Sequence, residues 1–114
     1  MSISVKVSVG DFLDRWSILL IKLEKGLKVE EEIKNYTKQL DADFQDWGYY
    51  LEVIKTINSQ LWELEDRKRK EVERYSPEES NVALLITQLN DLRHETKKRI
   101  DIFFNSDFTE KKSH

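Results

Sequence analysis

Between Val29 and Tyr75 apolar side chains recur every seven residues, at Ile33, Leu40, Trp47, Ile54 and Leu61. Phe44 and Leu51 fill the second seam position, and no proline intervenes. A period of seven is one stripe of an α-helix, because two turns of 3.6 residues return the chain to nearly the same face. The stripe therefore predicts a long helix over 29–75, about 65–70 Å if unbroken at 1.5 Å per residue. Gly48 is its weak point, costing about 1 kcal/mol against alanine, and a break near 48 is compatible with the pattern. Continued past Leu51, the seven-residue count lands on Asn58 and Glu65, so two polar side chains interrupt the stripe.

The flanking segments carry their own signals. Ile3, Val5, Val7 and Val9 alternate with Ser4, Lys6 and Ser8, the period of a short strand over 3–9. Such a strand needs a partner, either the tail around Phe108 or a second subunit. Ser8 then reads as the N-cap of a helix over 10–25, with Asp11 completing a capping box and Gly26 ending it. Phe12, Trp16, Leu19, Leu20, Leu23 and Leu27 share one face, and Ile18 and Ile21 extend the apolar surface round the helix. This pattern suits a central core helix or a subunit interface. Ser76 and Pro77, with Glu79, open a last helix over 77–104. It carries Val82, Ile86, Leu89, Leu92, Ile100 and Phe103 at helical spacing, with Arg93 and Thr96 inside the stripe. Residues 105–114 form a polar tail. So short a turn at Ser76 makes the two long helices an antiparallel hairpin. The expected fold is one all-α domain over 1–114: a short N-terminal β-strand, a helix and a long antiparallel helical hairpin, assembled as a homo-oligomer.

Reflection about Ser76 brings Asn58 and Glu65 opposite residues 87 to 95, so the polar interruptions of the two helices face each other. Asn58, Glu65, Asp66, Arg69, Asn90, Arg93 and Lys97 are the candidates for this layer, and Asp14, Ser17 and Glu24, on one face of the first helix, could join it. Buried charge requires a partner, and an Arg93–Glu65 pair meets that need as a purely structural element that sets helix register. The functional reading is a pocket in which Arg and Lys hold an anionic ligand and Trp or Tyr stacks on its base or ring, with Arg69, Arg93, Lys97, Asn90, Asn58, Glu65, Asp14 and Trp62 as the ligand-binding candidates.

Composition narrows the chemistry. With 19 basic and 22 acidic residues the net charge is -3, which argues against general nucleic-acid binding. No cysteine is present, so thiol nucleophiles and thiolate metal sites are excluded. His94 has no second histidine beyond the terminal His114, and no metal site is expected. The longest apolar run, Ile18 to Ile21, is far too short to span a membrane. The opening residues lack a signal peptide's apolar core, so the cytoplasm is the expected compartment. Glu63 and Asp66 form an E-x-x-D, half of the paired carboxylate motif of Mg²⁺-dependent helical nucleotide phosphohydrolases, without the preceding E-x-x-E. No phosphate loop or hydrolase motif occurs. The basic runs Arg67–Lys70 and Lys97–Arg99 read as solvated helix faces, or as a phosphate-contacting patch if a symmetric oligomer clusters several copies.

The chain resembles a family of small bacterial and phage proteins of unknown function. The likeness runs through Gly10-Asp11-Phe12-Leu13-Asp14-Arg15-Trp16-Ser17-Ile18-Leu19 and Ile21-Lys22-Leu23-Glu24, through Asn58, Leu61-Trp62, Leu64-Glu65-Asp66 and Arg69, and through Asn90-Asp91, Arg93, Lys97 and Ile100, ending at Glu110-Lys111-Lys112-Ser113-His114. Trp16 and Lys68, where the family pattern has aliphatics, and His114, where it has tyrosine, depart from it. The resemblance implies an architecture and a site location; it implies no activity. Three readings follow. The preferred one is a non-enzymatic, oligomeric binding module for a small anionic, nucleotide-like ligand, in a phage a protein that sequesters a host defence signal; it needs no cofactor. The second is an adaptor docking a protein partner through an exposed strip such as Tyr49, Tyr50 and Ile57. The third is a Mg²⁺-dependent phosphohydrolase using Glu24, Glu63, Glu65 and Asp66.

Overall fold

A computed structural model describes residues 7–39 and 47–104. Four helices follow in order: α1 (Val9–Glu24), α2 (Glu30–Lys38), α3 (Trp47–Lys70) and α4 (Pro77–Phe103). No strand occurs among the described residues. Residues 3–6 of the expected strand lie outside them; at its other end Val9 is already helical. The reason is local. The Ser8 hydroxyl accepts from the Asp11 N–H at 3.1 Å and so caps the helix at Val9, whose side chain is fully buried. Oligomeric assembly and the 105–114 tail are likewise outside what a single chain over these residues describes.

The segment 29–75, expected as one long helix with a break allowed near 48, carries two helices among the described residues, α2 and α3. α2 stops at Lys38, where the Gln39 N–H bonds back to the Tyr36 carbonyl at 3.1 Å, a tightened last turn. α3 opens at Trp47, just ahead of Gly48. Leu40 and Phe44, two members of the seven-residue stripe, fall in the undescribed interval. Both helices return to α1: Tyr36 packs on Phe12 with ring centroids 5.0 Å apart, and Trp47 stacks on Trp16 at 5.1 Å.

Helix ends follow from sequence chemistry. Gly26 takes φ 87°, the Gly26 N–H bonds the Leu23 carbonyl and the Leu27 N–H bonds the Lys22 carbonyl, each at 3.0 Å, which is a Schellman closure of α1. Ser76 caps α4 through the Glu79 N–H at 3.1 Å, while the Glu79 carboxylate accepts from the Tyr75 N–H at 2.9 Å. Tyr75 occupies left-handed backbone space at φ 62°, so this short turn carries some strain.

The interior consists of two apolar clusters. One joins Val9, Phe12, Leu13 and Trp16 of α1 to Leu51 and Ile54 of α3 and to Ile100 and Phe104 at the end of α4. The other, nearer the hairpin turn, joins Ile57, Leu61, Val72, Val82 and Ile86. Ile57 is thus core, not part of an exposed strip, and Tyr50 packs against Phe103 and Phe104; of the three strip residues Tyr49 alone is exposed. Leu23 and Leu27, on the expected core face of the first helix, are also exposed, and Leu27 lies beyond the end of α1.

α1 and α4 approach backbone to backbone at Gly10. A Cβ there would stand 2.5 Å from the Lys97 carbonyl oxygen, and the Gly10 N–H donates to the Asp101 carboxylate at 2.6 Å. Gly10→Ala should therefore destabilise the protein by about 1–3 kcal/mol, the usual magnitude of overpacking. Urea denaturation checks this, and unchanged stability would mean that α1 and α4 are not in this close register.

Candidate functional site

The polar layer lies between the two clusters, and its centre is Asp14. Local sequence puts it there. Gly10, Ser17 and Ile21, one or two helical turns from Asp14, are buried on the same face of α1, and Asp14 is carried inward with them. Its carboxylate is 3% exposed. Arg93 of α4 grips it with two parallel hydrogen bonds, Nε to Oδ1 at 2.9 Å and Nη2 to Oδ2 at 2.6 Å. The Asn58 amide of α3 donates to Oδ1 at 2.8 Å and to the Ser17 hydroxyl at 2.8 Å, and Ser17 in turn donates to the Asp14 carbonyl at 2.7 Å. Lys97 adds its charge 3.7 Å from Oδ2 while pairing with Asp11 at 2.6 Å.

Burial alone pushes the Asp14 carboxyl up, but the hydrogen bonds from Arg93 and Asn58 and the charges of Arg93 and Lys97 together outweigh it. The group is held below the ordinary carboxylate range and stays ionised. The hydrogen bond to Asp14 likewise holds the Arg93 guanidinium further up. The expected Arg93–Glu65 pair is therefore corrected: Asp14 takes the arginine, because α1 lies directly over the polar layer, and Glu65 remains exposed.

Beside this network opens a cleft of about 300 Å³. Ile18 and Ile21 of α1, Leu61 and Trp62 of α3, and the polar side chains Asn58, Glu65, Arg69, Asn90 and Arg93 line it. Six of the eight sequence-derived candidates, Asn58, Trp62, Glu65, Arg69, Asn90 and Arg93, thus converge on one concavity. Asp14 stands behind it as the anchor of Arg93. Lys97 is corrected: it is not among the lining residues, since Asp11 and Asp14 hold it against the start of α1. Sequence reasoning missed Asp101, which accepts the Gly10 N–H at 2.6 Å; its i,i+4 spacing from Lys97 on α4 was the available signal.

The cleft's charges are graded by burial. Arg93 spends two of its five N–H donors on Asp14 and is fixed in place. Arg69, at the rim, is mostly exposed and only loosely tied to Asp66 at 3.0 Å. The carboxylates of the phosphohydrolase reading do not converge. Glu24 pairs with Lys55 at 2.5 Å, Glu63 with Lys25 at 2.5 Å, and Asp66 with Arg69 and Lys70. Among the described residues no group of three or more acidic or histidine side chains is placed to share a cation.

The architecture is an antiparallel helical hairpin crossed by a shorter helix, with a buried Asp–Arg–Asn network at the crossing. No protein-family model matches the chain, and neither a curated protein nor a solved structure matches it. No helix among the described residues is long and apolar enough to cross a membrane.

Asp14→Asn removes the charge while keeping the shape, and it should cost about 3 kcal/mol at neutral pH, the low end for breaking a buried pair because Arg93 is partly solvated. Because the folded-state pKa of Asp14 is depressed, its contribution is complete above the unfolded value of about 4 and is lost as pH falls through the lower folded value. The stability gap between wild type and Asp14→Asn should therefore be constant from neutral pH down to about 4 and narrow below it. A gap independent of pH would remove the ion pair from the account.

Proposed function

We propose that the chain is a non-enzymatic, oligomeric binding module for a small anionic ligand of nucleotide-like shape. One observation carries this reading: two arginines, two asparagines, a glutamate and a tryptophan meet in one apolar-walled cleft. Arginine pre-oriented by a buried carboxylate suits a phosphate, because its remaining donors need no further ordering. Arg69 adds a second, adjustable cation from the rim. Trp62 and Ile18 offer area for a planar ring, and Asn90 and Glu65 offer hydrogen bonds to its edge. The cleft is at the small end of ligand sites, which fits one mononucleotide-sized group. Sequestration of a nucleotide signal, as by a phage protein facing a host defence, is a role that this chemistry would serve. Turnover has no support in the dispersed carboxylates.

A thermal-melting panel of nucleotides, cyclic nucleotides and ADP-ribose-type compounds, with and without Mg²⁺, tests the proposal. At a hundredfold excess over Kd a true ligand adds about 2.7 kcal/mol, which moves the melting midpoint by several degrees. The expected result is a shift with the compound recovered intact, absent in Arg69→Ala, whose unliganded melting curve matches wild type. Recovery of a hydrolysed compound would make the protein an enzyme. A flat panel would end the nucleotide reading and favour the adaptor.

A further inference from the structure

A second concavity lies between α3 and α4 and shares no residue with the ligand cleft. It encloses about 640 Å³, and Leu64, Leu85, Leu89 and Leu92 line it. In a chain that is 36% charged, Glu63 is the one charged residue among those lining it. Charge depletion over an apolar centre marks an interface core more reliably than hydrophobicity alone. Leu85 and Leu92 are 46% and 50% exposed and stand side by side on the wall of this groove.

The occupant is written in the charges that flank this stripe. Glu78, Leu85, Leu92 and Arg99 recur at intervals of seven, so they share one face of α4 with a drift of only about 20° per interval. Read antiparallel against itself, this row is self-complementary: leucine meets leucine in the middle, and glutamate meets arginine at both ends. Glu78 and Arg99 are both exposed, and their own-chain partners, Arg67 and Glu95, are surface contacts that can be exchanged. An isologous two-fold contact requires this property, since residue i of one copy must suit residue j of the other in both directions.

We infer that the protein forms a two-fold dimer in which α4 packs antiparallel against α4 of a second copy, Leu85 opposite Leu92 and Glu78 opposite Arg99. The two hairpins then make a four-helix layer, and the ligand clefts stay clear of the interface. This deepens the oligomeric part of the proposed function and does not depend on the ligand, so a mass measurement and the melting panel fail separately.

Sedimentation equilibrium of the full chain is the test, with circular dichroism to establish that each variant is folded. Wild type should sediment at twice the chain mass of 13.7 kDa. Leu85→Gln, a change at a half-exposed site, should weaken the dimer at least tenfold with helicity retained. Glu78→Arg and Arg99→Glu should each weaken it, because each sets like charges opposite one another at both ends. An equimolar mixture of those two variants should recover the dimer as a heterodimer, since both end contacts are then opposite in sign. A monomeric wild type would overturn the inference and leave the groove to a different protein. So would a dimer indifferent to Leu85→Gln, or charge variants that do not rescue each other.

Discussion

The carboxylate of Asp14 is the one group on which all three packed helices depend. It sits on α1, is gripped by Arg93 from α4 and is hydrogen-bonded by Asn58 from α3. A buried charge is tolerable only with its partners in place, so this contact admits one register of α1 on the hairpin and penalises the others. An apolar residue at 14 could slide along the leucine-rich surface. An ionised one cannot, because a shift of one helical turn would leave both the carboxylate and the guanidinium without partners in the interior. Gly10 enforces the same register sterically a turn earlier, where the α4 backbone leaves no room for a Cβ.

Helix lengths explain why a cleft exists at all. α1 has 16 residues and α4 has 27, so α1 is shorter by about 16 Å at 1.5 Å per residue. It covers the hairpin beside the open end, where the larger aromatic core forms, and does not reach the turn. The inner faces of α3 and α4 continue beyond it and close on their own smaller cluster. Where the two regimes meet, apolar contact gives way to Asn58, Asn90, Arg93 and Arg69, and the edge of α1 leaves a concave step. The candidate site is thus a consequence of packing a short helix on a long hairpin, and the polar layer supplies its chemistry.

Much of this was legible from residue order. The caps at Ser8 and Ser76, the stop at Gly26 and the polar interruption at Asn58 follow from local rules that act over one or two turns. So does the convergence of Asn58, Glu65, Asn90 and Arg93, because a short turn after α3 leaves only one way to fold the stripe back on itself. The misassignments share a cause. Glu65 and Arg93 interrupt facing stripes, which pairs them in a two-helix reflection, yet nothing in that reflection says which acid a third helix brings closer. Lys97 belongs to the same polar layer by sequence, but Asp11 of α1 pairs with it and holds it out of the cleft. The seven-residue stripe also spans the end of α2 at Lys38, because periodicity alone does not say where one helix stops and another that shares its period begins.

What the sequence determined by itself, then, is the set of helices around the hairpin, their caps, and the presence of a polar layer between two apolar stretches. These depend on contacts within a few residues, whose geometry is the same in any helical context. Only the tertiary structure decided which acid neutralises Arg93, how far α1 reaches, and therefore where the cleft opens. Those outcomes depend on the crossing of helices far apart in the chain, where burial makes one pairing of charges far cheaper than its rivals and only the assembled packing shows which pairing that is.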